Sequence, residues 1–591
     1  MATTGAPSGD IAQLLKRVHQ VLLDLDASAP ASPELSRVIA TFESAVPSRD
    51  LLPTTVASLP QEILARIAEL IAIPRALGRS AHAAEDDEEG DSETPKRRTE
   101  ALAASFKSLA TSLLKLAVSL VPLLPIPSDP PERSTLEGLS RLFIACSKFN
   151  QPAFTVWFGD PLNRSLSNHL VGIAAPPGHP SLRLAVLSHV LRSSLPTRFR
   201  PHPKLNPSTG RVLNRPLGGP NGGIFGGEDD GEWRHEVGLS GTVLTVIERL
   251  EMEEFEDLWP WLLPPVLSFL DDHDTENKIL GLHLVATLLD RLSGVPGSRP
   301  STLLARTGVG RVFQQSLSAI FSNLSDPLSV KLQSLAQPIS LTLINLLYPA
   351  PPRAPSAGAQ ARTSDSNVTE EQSQTRFDAL CRHFSETSLQ TWQYKSGHYE
   401  LELLQLALPT RVWSDGDSGT RTATATAVGI VAWMEEIGTG VVRYLGILIP
   451  HLTRLLAGDD EGEGGRAARD VVKTSLEMVE LRSGAAGVLR ELTRRDRART
   501  RVRGWDDDVA SAVARCWVQL RREEEDAPGE TGQVDPARTA REGLKAQLQA
   551  LVRDWTDIGA REPDKDLWKE LKELDPIFVD LFCPVGSRTR C

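Results

Sequence analysis

The run Asp271-Asp272-His273-Asp274 is the densest chemical constellation in this 591-residue sequence, with three carboxylates and an imidazole in four positions. Divalent metals accept such oxygen and nitrogen ligands, and the same groups serve as general bases, so the run could on paper support metal-assisted hydrolysis. All four residues stand in one polar stretch, 271–277, between two apolar runs, where Asp is expected for helix capping and solvation. No second cluster is present to complete a coordination shell, so the run is read as structural.

Other chemical patterns break off early. His235-Glu236 opens like a zinc-protease helix, but Leu239 stands where the second His is required. Ser240 sits in Gly-Leu-Ser-Gly, which is not the Gly-x-Ser-x-Gly of a nucleophile elbow. Ser112 and Lys115 have Ser-x-x-Lys spacing inside a Leu-rich amphipathic helix, where coincidence explains it. The Gly-rich run 218–227 is followed by no Gly-Lys-Ser/Thr and preceded by no buried strand, so it reads as a connector and not as a phosphate loop. No catalytic residue, cofactor or metal site is assigned, and the expectation is a non-enzyme. Hydrolysis at 271–274 is the enzymatic alternative, and it would require stoichiometric metal.

The elements around the acidic run form a helix hairpin. Its first arm carries Leu262, Leu263, Val266, Leu267, Phe269 and Leu270, with Pro264 and Pro265 either opening the helix or kinking it one turn in. Asp274 is placed to cap the second arm, where Ile279, Leu282, Val285, Leu288, Leu289 and Leu292 cover more than one stripe. Such a helix belongs between neighbours, and Gly281 lets one of them approach closely. A unit of this kind cannot bury its own faces and needs stacked copies.

Copies follow. One pairs 311–324 with 329–347 through Ser325-Asp326-Pro327, and a weaker one pairs 441–456 with 467–481 through the acidic Gly-rich loop 458–465. Further helices are expected at 485–494 and 509–521, and two more over 537–582. Upstream, helices are expected at 10–25, 32–45, 60–73, 101–121, 134–146 and 181–195. No sustained period-2 pattern appears. The expected fold is all-α, a HEAT/armadillo-like α-solenoid of stacked helix hairpins with disordered insertions. Its organisation is 1–195, an N-terminal helical region with an acidic loop at 83–99; 196–232, a Pro/Gly-rich linker; 233–348, HEAT-like repeats; 349–374, a disordered insertion; and 375–591, C-terminal helical repeats.

A formal net charge of -12 disfavours nonspecific binding to nucleic acid or an anionic membrane. The longest apolar helix candidate, 101–121, is interrupted by Lys107 and Lys115 and is not read as a membrane span. Five cysteines without Cys-x-x-Cys spacing suggest reduced thiols in an intracellular protein. Trp and Arg dominate binding hot spots, so Trp392 and Trp505, each set in a polar run, are the candidate partner contacts.

The run 261–282 resembles the core segment of the Tel-two-interacting protein two family, through Pro264, the Asp271-Asp272 pair, His273, Lys278 and Gly281. The resemblance implies a subunit of the TTT complex, with Tel-two and Tel-two-interacting protein one as partners. That complex is a cochaperone adaptor that supports folding, assembly and stability of the phosphatidylinositol-kinase-related protein kinases, together with the ninety-kilodalton heat-shock chaperone. It also implies a scaffold role for the motif residues and a cytoplasmic protein, with the nucleus as a second location. The rival from another class is a HEAT-repeat transport adaptor that binds cargo or a small GTPase.

Overall fold

The computed structural model describes residues 15–21, 59–71, 93–121, 131–151, 160–213, 232–294, 302–324, 328–349, 370–390, 430–457, 475–525, 536–559 and most of 570–582, together with residues 13 and 37. Among the described residues the chain is all-α, without a strand and with one isolated antiparallel bridge between Leu205 and Val212. It divides into two compact units, Met1–Val312 and Phe313–Cys591.

In the first unit, α1 (Leu59–Ile71), α2 (Glu93–Leu120), α3 (Arg133–Ser147), α4 (Pro161–Ala174) and α5 (Pro180–His189) pack pairwise, α1 on α2 and α3, α2 on α4, and α3 on α4 and α5. Local chemistry sets their starts. Asp160 accepts the Leu162 N–H at 2.8 Å and Pro161 fills the first helical position, where a missing N–H costs nothing. The hairpin follows α6 (Leu239–Arg249) and consists of α7 (Glu254–Leu270) and α8 (Thr275–Ser293). Helix α8 packs against both α6 and α7, which accounts for its broad apolar coverage. A short helix, α9 (Leu303–Thr307), precedes α10 (Val309–Ser322), which begins at the end of this unit.

The prolines of α7 neither open it nor mark its first turn. The helix starts at Glu254, and Pro260, Pro264 and Pro265 all lie inside it. Each lacks the N–H that would reach back four residues, so the carbonyls of Glu256, Pro260 and Trp261 lose their helical donors. Burial of Phe255, Leu258, Trp259, Leu262, Leu263, Val266 and Leu267 offsets that loss, because a helix packed over most of its surface depends less on its own ladder.

The second unit contains α11 (Ser329–Leu347), α12 (Glu370–Phe384), α13 (Ile430–Ile437), α14 (Leu445–Ala457), α15 (Ser475–Arg494), α16 (Asp496–Val502), α17 (Asp506–Glu525), α18 (Pro536–Gly559) and the short α19 (Val579–Phe582). Its core is built where α15 meets α18 and α14 meets α15 and α17. Stacked rings fix one end, with Phe384 and Trp433 at 4.2 Å between centroids and Tyr444 edge-on to both. The stretch Ile430–Ala457 is long and apolar enough to cross a membrane by length and composition. Here Trp433, Met434, Leu448 and Leu452 are buried in the core, and a 3-10 turn, Gly438–Tyr444, interrupts the stretch.

Some boundaries differ from expectation. A break near Ser483-Gly484 is absent, and α15 runs through it as one helix. Ser483 Oγ donates to Gln547 Oε1 at 2.7 Å and Arg482 Nη2 donates to Gln519 Oε1 at 2.8 Å, so tertiary contacts override the weak helix propensity of Ser-Gly. Helix α2 starts at Glu93, inside the span 83–99, and α12 starts at Glu370, inside the span 349–374. In α12, Glu370 and Glu371 suit a helix N-terminus and Leu380 and Phe384 anchor the turns that follow. The acidic run 85–92, the Gly-rich run 218–227, Asp326, residues 350–369, Trp392 and residues 458–474 lie outside the described residues.

Candidate functional site

The hairpin turn is organised by one carboxylate. The Asp272 side chain is fully buried, and Arg234 grips it with two nitrogens, Nη2 donating to Oδ1 at 2.8 Å and Nε to Oδ2 at 3.3 Å. Asn277 Nδ2 donates to Oδ2 at 2.8 Å, and the His273 backbone N–H donates to Oδ1 at 2.7 Å. The exposed His273 ring brings Nδ1 within 3.0 Å of the same oxygen. A carboxylate so occupied has no lone pair left for a metal or a substrate proton.

Its neighbours turn elsewhere. Asp274 caps α8 by accepting the Glu276 N–H at 3.1 Å, and Asp271 lies 3.4 Å from His202 Nε2. Lys278 Nζ reaches the His273 carbonyl at 3.4 Å. His273 and Asp272 touch, but Asp271 and Asp274 have partners of their own, so the four residues 271–274 do not converge on one point. Among the described residues no group of three or more His, Cys, Asp or Glu could hold a metal ion. Pro264 is half-buried within α7, and Gly281 is the contact point between the arms: a Cβ there would stand 2.5 Å from the Leu270 nitrogen and 2.6 Å from its Cα.

The turn is held by chain that the sequence shows as a connector. Residues 196–213 are packed: Phe199 and Leu205 are buried, and the Val212 N–H donates to the Thr307 carbonyl at 3.0 Å. Phe199, Trp233 and Phe269 form a ring cluster, with Trp233 edge-on to Phe269 at 4.7 Å. This brings Arg234, in the 3-10 turn Glu232–His235, to Asp272. On the other side, Arg192 from the π-helical turn Val190–Ser194 lies over the Trp261 ring at 4.5 Å.

A second buried charge cluster ties the segment before α6 to the N-terminal helices. Lys148 Nζ donates to Glu236 Oε1 at 2.9 Å and Arg198 Nε lies 2.5 Å from Oε2. Burial alone would push the Glu236 carboxyl up, but Lys148 and Arg198 more than reverse it and hold it below the usual carboxylate range. Next to it, Gly241 sits where a Cβ would meet the Gln151 nitrogen and the Ser147 carbonyl at 2.8 Å. Small polar groups close that contact, Ser147 Oγ donating to Thr242 Oγ1 and Asn150 Nδ2 to Thr245 Oγ1, both at 3.0 Å. Ser240 belongs to this interface, nearly inaccessible and with no hydrogen-bond partner among the described residues, so it is no nucleophile. Ser112 Oγ donates to the Ser108 carbonyl at 3.2 Å within its own helix.

In the second unit Trp505 is half-buried against the core. The site residues that spacing could not reveal are Arg234, Asn277 and the Lys148–Glu236–Arg198 cluster. The one available signal is that a buried Asp needs a cation, without indication of which.

Comparison with known proteins adds a family: the sequence model of the Tti2 family matches residues 163–458, half of the chain. That span contains the hairpin, its saturated turn and the packed segment 196–213. No curated protein and no solved structure matches.

Proposed function

The chain belongs to the Tti2 family, and from that premise we propose that it is a noncatalytic scaffold subunit of the TTT complex, joined to Tel-two and Tel-two-interacting protein one. In that role it supports the folding, assembly and stability of phosphatidylinositol-kinase-related protein kinases through the ninety-kilodalton heat-shock chaperone, in the cytoplasm and the nucleus. The helices 233–348 and 375–591 form HEAT-like stacked hairpins whose outer faces carry the partners. The observation that carries this reading is the family match over 163–458, a span that contains the hairpin, whose buried turn carboxylate Asp272 is spent on structure. A stack of this kind works by presenting a long surface and needs no reacting group.

The experiment is affinity purification of the tagged full chain at near-native abundance, with mass spectrometry at moderate salt. Near-equal recovery of Tel-two and Tel-two-interacting protein one is expected. Recovery of neither, with the chain monomeric and folded, would sink the proposal, and recovery of a small GTPase in their place would favour a transport adaptor.

A further inference from the structure

Arg192 stacks on Trp261 and leaves its hydrogen bonds unspent. The guanidinium carbon lies 4.5 Å from the ring centroid, and among the described residues neither the guanidinium nor the indole N–H is hydrogen-bonded. By contrast, Arg183, Arg234 and Arg306 of the same unit are each held by a carboxylate. The Arg183–Glu254 pair, nine residues before Arg192 and seven before Trp261, holds α5 alongside α7, and the π-helical turn Val190–Ser194 then carries Arg192 onto the ring. Such turns are rare and concentrate at functional sites. The pair is open to solvent: Arg192 is exposed and Trp261 only half-buried. One turn before Trp261 on α7 stands Asp257, also exposed and without an ion pair among the described residues.

We propose that this stack is a contact point for a partner protein, whose segment presents an apolar side chain between a carboxylate and a cation. The carboxylate forks onto Arg192, because stacking on a ring leaves the in-plane N–H groups open. The apolar side chain covers Trp261, and the cation meets Asp257. Charges of both signs within about one helical turn select this occupant. A nucleic-acid strand or an anionic bilayer would gain Arg192 but meet Asp257 and the exposed Glu253 beside it, whereas a protein segment of mixed charge satisfies both signs. Arg and Trp are also the residue types that carry most interface energy, and both stand inside the family span 163–458. The proposal rests on the adaptor reading above and names one contact surface within it.

The test uses the tagged full chain expressed with Tel-two and Tel-two-interacting protein one. Arg192→Glu and, separately, Asp257→Lys are compared with Arg133→Glu, a charge reversal at an almost wholly exposed position of α3. Recovery of partner subunits should fall ~10-fold or more for each of the first two and hold for the control, with melting unchanged. A second reading needs no variant: phenylglyoxal should modify Arg192 in the isolated chain and spare it in the complex. Undiminished recovery by either variant, or equal modification of Arg192 in chain and complex, overturns the contact alone, whereas no recovery by the unaltered chain overturns the adaptor reading as well. A photo-crosslinker at Ser193 should label a partner peptide in which acidic and basic residues flank an apolar one. Labelling of nucleic acid or of a second copy of this chain would overturn the proposal.

Discussion

Arg234 and Asp272 form a forked ion pair, with the guanidinium half-open to solvent and the carboxylate wholly enclosed. The asymmetry decides which partner matters more. Without Arg234, Asp272 keeps the Asn277 amide, the His273 N–H and the exposed His273 ring beside it, and loses the one fixed cation that compensates its buried charge. Without the Asp272 charge, Arg234 can still turn toward water.

Arg234→Ala should therefore destabilise the first unit by about 3 kcal/mol, and Asp272→Asn by less. Urea midpoints of the two variants check the order. An equal or reversed ranking would mean that the carboxylate is less enclosed than its contacts imply.

Gly281→Ala adds a methyl group where the Leu270 backbone already stands 2.5 Å away. Alanine favours the helix by about 1 kcal/mol over glycine, but forcing two backbones apart costs about 3 kcal/mol, so a net loss of ~2 kcal/mol is expected. Stability unchanged within 0.5 kcal/mol, in the same ~2 kcal/mol framework, would show that the arms part freely.

The hairpin was readable because its information is local. The apolar runs of α7 and α8, the Asp274 cap and the need for a small residue at Gly281 all follow from spacing along a few turns. The clusters around it were not. Asp272 is 38 residues from Arg234, with α6 and α7 between them, and Glu236 is 88 residues from Lys148, across the Gly-rich run 218–227. Nothing in chain spacing selects such partners. Residues 196–213 look like a connector because Pro and Arg dominate them, yet Phe199, Leu205 and Val212 suffice to anchor the segment. The prolines of α7 mislead in the opposite direction, since burial sustains a helix that propensity would end.

Cys146 and Cys516 should resist alkylation in the folded chain. Burial pushes both thiols up to about 12, so almost no thiolate is present at neutral pH. Iodoacetamide labelling followed by peptide mapping should leave both unmodified until denaturant is added. Rapid labelling of either one under native conditions would place it in a segment that opens readily.

Acid should loosen the second unit through His383. The His383 ring is enclosed, with Nδ1 3.0 Å from Ser340 Oγ and Phe321 edge-on at 6.1 Å, and burial lowers its pKa to about 4 from an ordinary 6.5. The unfolded chain therefore binds a proton that the folded chain refuses between those values. Stability contributed by the neutral ring is fully present above pH 6.5 and declines as the pH falls toward 4. A shift of this size corresponds to about 3 kcal/mol, an upper figure because partial opening admits water. Glu236 acts in a different window: its lowered pKa holds stability that is lost only as the pH falls through the range below an ordinary glutamate. Melting temperatures between pH 7 and pH 4.5 should thus fall for the unaltered chain and stay nearly flat for His383→Gln, whatever the variant's stability at neutral pH. Parallel slopes in the two proteins would show that His383 protonates as freely folded as unfolded, and that the loss arises elsewhere.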